Sequence, residues 1–186
     1  MLLNVTERGA YVATFRWIEV RFMETLANWV PTTPEMEAKL LFGAHIWDAA
    51  QHADILGKRT QELRLPLQHS VEPAPGYVAF MDDLVAIRQT NRRISGFYDC
   101  ALPGMRRRFQ EYLQRVDPLL DGPTVRLLER IMFDIERMIK DSQTLLAEFP
   151  PFRLDGQAWI ESLRQQEMSQ SQIVEPVRVA EPVRAA

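Results

Sequence analysis

Four long stretches of this chain repeat apolar side chains every three or four residues, the spacing of one face of an α-helix. In the first, Tyr11, Phe15, Ile18, Phe22, Leu26 and Trp29 recur at that interval, and Pro31 stops the pattern. The spacing predicts a helix over about residues 6–30, starting at Thr6 or Arg8. The second stretch, residues 34–64, is the longest without interruption. Thr33 is placed to cap it, Pro34 suits the first helical position, and Glu35 and Glu37 sit where the helix dipole favours anions. Leu41, Ala44, Trp47 or Asp48, Ile55 and Leu56 mark its expected inner side, and Lys58, Arg59 and Arg64 gather in the last turns.

The third stretch begins near Tyr77 and carries Phe80, Leu84, Ile87, Asn91, Ile94, Tyr98 and Leu102. Pro103-Gly104 is expected to kink or break it, with helix resuming over residues 105–116. Arg106, Arg107 and Arg108 read as a solvated face. Residues 117–123 are turn chemistry, and Pro123 opens a fourth helix that runs to about residue 147. Leu127 or Leu128, Ile131, Asp134 or Ile135, Met138 and Leu145 mark its inner side. A short amphipathic piece with Trp159 and Leu163 follows at about residues 155–167.

The connections constrain how these helices meet. Only Pro31, Thr32 and Thr33 join the first two, which makes them antiparallel neighbours. Residues 65–76, LPLQHSVEPAPG, form a connection with His69 exposed in it. At ~3.3 Å per residue it is long enough to cross most of a bundle, so the third helix need not lie antiparallel to the second. The expected fold is all-α: a four-helix bundle with a long second connection, a kinked third helix and a short C-terminal helix. Residues 1–168 form the bundle domain, and residues 169–186 a flexible low-complexity tail in which EPVR occurs at Glu175 and again at Glu181.

Polar residues on the inner faces are the candidate chemistry. Glu19 sits between Phe15 and Phe22 on the apolar side of the first helix, and an unpaired carboxylate there is costly. Its partner is an arginine, a histidine or a metal ion, unless it reaches water at the edge of the stripe. On the second helix His45, Asp48 and His52 share one side. The two histidines lie about 10 Å apart along the axis, too far to share one ion. Asp48 can pair with either, and a carboxylate orienting a neutral imidazole needs no metal. Glu19 and His45 stand at about equal distances from the turn at Thr32, which puts them at one level of the bundle. On the fourth helix Asp134 points inward with Arg137 three residues on, as an ion pair or as a ligand position. The candidate metal residues are therefore Glu19, His45, Asp48, His52 and Asp134.

Composition narrows the function. The 186 residues suffice for one domain with a sizeable core. A formal charge of −3, from 22 basic and 25 acidic residues, gives no support to nucleic-acid binding. No apolar run reaches the ~18 residues of a membrane span, and the N-terminus does not read as a secretory signal. Cys100 is the single cysteine, so no intrachain disulfide forms and a reducing compartment fits. The expected location is cytoplasmic.

Four long helices with a tight first turn, a long second connection and a tight third turn resemble the ferritin-like bundle, and HIWDAAQHADILGKRTQELR is similar to its second-helix motif. That family holds two iron or manganese ions with a Glu from each of two helices and Glu-x-x-His from each of the other two. The resemblance places Glu19 at the first-helix Glu and His52 at the motif histidine, but Ala49 stands where the motif Glu belongs, with Asp48 one position earlier. Asp134 matches the acidic position of the fourth-helix motif and Arg137 replaces its histidine. The third-helix Glu has no clear counterpart.

Three functions follow as expectations. The first in rank is a ferritin-like bundle with a degenerate metal site, metal-poor or metal-free, acting as a binding or assembly module. Its partner is a second copy or another protein, met through the bundle or the C-terminal tail. The alternative is an iron- or manganese-dependent oxidoreductase acting on a small substrate, with one ion per chain. A metal-independent enzyme using His52 as a base oriented by Asp48 ranks last. The cofactor is thus either none or one iron or manganese ion.

Overall fold

The first helix begins a residue or more earlier than the apolar spacing indicates, because Asn4 caps it. The Glu7 N–H donates to Asn4 Oδ1 at 3.0 Å, and the Asn4 N–H donates to Glu7 Oε2 at 2.8 Å. A computed structural model describes residues 2–154, 156–170 and 172–174 of the chain. In it α1 spans Val5–Trp29 and buries Phe15, Ile18, Phe22, Leu26 and Trp29. A 3-10 turn, Val30–Thr32, leads to α2, Met36–Glu62. Thr33 does not cap α2. Its hydroxyl donates to the Trp29 carbonyl at 2.8 Å and accepts from Arg93 Nη1 at 2.7 Å, so it ties off α1, and Glu35 takes the cap position of α2.

The inner face of α2 is rotated from the expected one. Ala38, Phe42, His45, Ala49, His52 and Leu56 are buried, whereas Ala44 and Trp47 face outward. The connection after α2 crosses the α1–α2 groove. The Gln68 N–H donates to the Gly57 carbonyl at 3.0 Å, and the Val71 N–H to the Ala13 carbonyl at 3.2 Å. Gly57 makes room at this close approach: a Cβ there would lie 2.0 Å from Gln68 Oε1 and 2.7 Å from Arg16 Nε, so these side chains would have to move. His69 is half-buried rather than exposed, as its backbone N–H bonds back to the Pro66 carbonyl.

The third stretch divides earlier than the proline suggests. α3, Pro75–Val85, lies beside α1 in the same direction, with Asp82 bonded to Arg21 and the Val85 carbonyl to Trp29 Nε1. The chain breaks at residues 86–89. It then runs as one rod through α4, Thr90–Gly96, a π-helical turn, Phe97–Ala101, and α5, Leu102–Leu113. Pro103 sits inside the rod. Proline cannot bond the carbonyl four residues back, which here is that of Asp99. The wide turn removes the clash, and Arg164 Nε donates to the freed carbonyl at 3.2 Å. Asn91 lies at the edge of α4, and Arg93 takes the buried polar position instead.

Side-chain pairings set the helix directions. Phe22 meets Phe97 and Phe15 meets Phe109, with ring centroids 5.2 and 4.9 Å apart, so the α4–α5 rod runs against α1. The fourth long helix, α6, spans Gly122–Glu148 and runs against α2: Arg59 bonds Thr124, His52 faces Asp134 and His45 faces Asp141. The rods therefore run up, down, down and up in chain order, with the long connection and α3 making the crossover. At one end a buried lock joins three of them. Asp121 accepts from Arg59 Nη2 at 2.8 Å, Thr124 Oγ1 at 2.7 Å and the Tyr112 hydroxyl at 2.5 Å.

The short helix α7, Ala158–Ser169, docks on α3 and the rod. Its Glu167 is buried and bonds both Arg107 and Arg108. The arginine run is therefore not a solvated face: Arg108 is buried in an ion pair, because α7 covers it. Packing continues to Ile173 and Val174, where the Ala74 N–H donates to the Ile173 carbonyl at 2.9 Å. The two EPVR repeats, beginning at Glu175 and Glu181, lie outside the described residues. Among the described residues no helix is long and apolar enough to cross a membrane.

Candidate functional site

Three of the long helices bring polar side chains together at mid-length, from the core at Glu19 and His52 out to the surface at Arg137. Glu19 comes from α1, where an otherwise apolar stripe carries it inward to 1 % exposure. His45, Asp48 and His52 come from α2, and Asp134, Arg137 and Asp141 from α6. The rod adds Tyr98 from its π turn, fully buried.

His52 lies between two carboxylates. Its Nδ1 is 3.3 Å from Glu19 Oε2 and its Nε2 is 3.4 Å from Asp134 Oδ2. Carboxylates on both sides of the ring favour its doubly protonated, charged form, in which both nitrogens donate. Burial pushes the His52 pKa down, but the charges and hydrogen bonds of Glu19 and Asp134 outweigh it, and the net shift is upward. Glu19 Oε1 is buried without a hydrogen-bond partner among the described residues.

His45 forms a second node. The Tyr98 hydroxyl lies 2.7 Å from Nδ1, and Asp141 Oδ2 lies 3.3 Å from Nε2. Asp141 can only accept, so Nε2 carries the proton and Nδ1 accepts from Tyr98. Burial lowers the His45 pKa despite the hydrogen bond to Asp141, which favours the neutral ring at pH 7. Burial also holds the Tyr98 hydroxyl well above its ordinary range.

Arg137 links the nodes near the surface. Its Nη2 donates to Asp48 at 2.8 Å and to Asp134 at 3.4 Å, and its Nη1 lies 3.6 Å from Asp141. The Asp48 bond and charge hold the guanidinium pKa up. The five candidate residues thus divide. Glu19, His52 and Asp134 are in direct contact, Asp48 is engaged by Arg137, and His45 belongs with Tyr98 and Asp141. Asp48 orients neither imidazole, which removes the arrangement needed for His52 as an Asp48-assisted base. The expected Asp134–Arg137 pair is present.

Asp141 and Tyr98 complete the site, neither of them among the candidate residues read from the sequence. Asp141 carried a signal: it follows Asp134 by seven residues, as His52 follows His45, and antiparallel helices match such pairs in reverse order. Tyr98 carried none beyond its place in the apolar line.

The residues do not fit the two-ion centre of the ferritin-like pattern. The two carboxylates nearest His52 occupy opposite sides of its ring, whereas one ion takes one nitrogen. Ala49 and Arg137 offer no ligand, and the rod contributes the Tyr98 phenol, which bonds His45. Among the described residues no group of three or more His, Cys, Asp or Glu is placed to hold a metal ion. No family model matches the chain, and neither a curated protein nor a solved structure matches it.

Proposed function

We propose that this chain is a ferritin-like bundle in which an internal charge network stands at the position of the metal centre, and that it serves as a metal-poor or metal-free binding and assembly module. The up–down–down–up order of its rods and the place of Glu19, His52 and Asp134 at mid-bundle support the ferritin-like part. One observation carries the rest: His52 sits between carboxylates on opposite sides of its ring, with its two nitrogens 3.3 and 3.4 Å from Glu19 and Asp134, so both nitrogens are engaged by protein groups. Arg137, bonded to Asp48 and Asp134, supplies positive charge where the family pattern has a ligand. A cytoplasmic setting belongs to the same proposal and rests on the lone, buried Cys100.

Elemental analysis of protein purified without chelator, with and without added iron or manganese, tests this. At most one weakly held ion per chain is expected. A content near two per chain, lost in His52→Ala, sinks the reading.

The second reading, an oxidoreductase using one iron or manganese ion, draws support from one atom. Glu19 Oε1 is buried and unpartnered, and such an atom points to a missing cation or water. One tightly held ion per chain that survives dialysis and is lost in Glu19→Gln would place this reading first.

A further inference from the structure

Over the first half of α2 the outward face is apolar. There Met36, Leu40 and Trp47 are 60, 67 and 67 % exposed. With Gly43 and Ala44 they fall within about 100° of one another around the helix, on the side away from Phe42 and His45. The stripe offers on the order of 400 Å² of apolar surface, within the ~300–600 Å² of the largest patch on a typical monomer, a patch that is often functional.

We propose that this stripe pairs with the same stripe of a second copy of the chain, α2 against α2 and antiparallel, across a two-fold axis beside Gly43 and Ala44. The pairing rests on the assembly reading above and names its partner.

Register supports a second copy as the occupant. An axis between Gly43 and Ala44 puts Leu40 of each copy level with Trp47 of the other, so the two largest contacts are made twice. Small residues at the crossing let the helix axes approach to ~8 Å, and a Cβ built on Gly43 meets nothing within 4 Å. Charge selects the direction. Antiparallel pairing separates Lys39 from its counterpart by about 13 Å and Glu37 from its counterpart by about 20 Å, beyond the screening length in physiological salt. Parallel pairing would set each against itself. The stems of Glu37, Lys39 and Gln51 flank the stripe and bring each copy toward the ~800 Å² per partner of a standard interface.

Sedimentation equilibrium of the full chain tests the proposal, together with Leu40→Glu and Trp47→Glu, whose helical content is checked by circular dichroism. The wild type is expected to dimerise at micromolar concentration, and each variant to raise the dissociation constant about 100-fold or more with its fold intact. A monomeric wild type, or a dimer that both variants leave unchanged, overturns it. Cysteine pairing reads the direction, since burial pushes the Cys100 thiol up to about 12 and keeps it out of the oxidation. Gly43→Cys should cross-link the dimer and Leu40→Cys should not. Cross-linking of Leu40→Cys to its own counterpart would overturn the antiparallel register. Capture of a different protein by this face in a monomeric chain would also overturn self-pairing. Metal content, measured on the same samples, keeps the two proposals apart: a metal-poor monomer defeats the pairing alone, and two ions per chain defeat the metal-poor reading whatever the oligomeric state.

Discussion

His45 and His52 sit two turns apart on one helix and are shifted in opposite directions, because their partners differ. His52 has two carboxylates, whereas His45 has one carboxylate and a phenol. Opposite pH dependences follow. The folded-state pKa of His52 is raised, so its contribution to stability is fully present below the unfolded value of ~6.5 and is lost as pH rises through the folded value. The folded-state pKa of His45 is lowered, so its contribution is present above ~6.5 and is lost as pH falls through the folded value. Urea midpoints between pH 5 and pH 9 should therefore lose part of their alkaline decline in His52→Gln and part of their acid decline in His45→Gln. An alkaline decline that His52→Gln leaves as steep as in the wild type would show that His52 is not held charged between Glu19 and Asp134.

At the scale of the element, the π turn is the feature that makes Tyr98 part of the site. It lets Pro103 stay inside a continuous rod, and it leaves the Asp99 carbonyl dependent on Arg164. Arg164→Ala should cost ~1–2 kcal/mol, as one half-buried carbonyl loses its donor. In a Pro103→Ala background residue 103 regains an N–H, and the same change should cost about 1 kcal/mol less. A double-mutant cycle by chemical denaturation measures that coupling. Strict additivity would mean that the wide turn has a cause other than the proline.

For the molecule as a whole, α7 is fastened by a buried ion pair. Glu167 is 2 % exposed and receives Arg107 and Arg108, while the Arg108 guanidinium lies over the Tyr77 ring at 4.7 Å. Removing one partner leaves the other charge buried, so Glu167→Ala should destabilise the fold by about 3–5 kcal/mol. The double change Arg108→Met with Glu167→Leu should recover most of that loss, since an apolar pair of similar volume avoids the desolvation cost. Guanidinium denaturation of the three proteins decides it. An equal loss in the single and double variants would mean that the geometry of the pair, and not the stranded charge, secures α7.

The sequence alone determined the four long helical stretches, the tight first turn, the long crossover and the inward faces of Glu19, His45, His52 and Asp134, but neither the break at residues 86–89 nor the level of Glu19, which meets His52 and not His45. What it determined is a consequence of spacing along one chain, and spacing fixes a face on a helix. It did not determine which inward groups meet. Asp48 lies three residues from His45 and four from His52, within reach of either on adjacent turns, yet Arg137 holds it, because the α2–α6 packing brings a guanidinium to its side of the helix. Nor did it show that α7 covers Arg108, that Pro103 lies within a rod, or that Trp47 faces outward while Phe42 faces in. Those outcomes depend on the relative rotation of packed helices. A rotation of one residue, about 100°, moves a side chain from core to surface, and only contacts between elements distant in sequence set it.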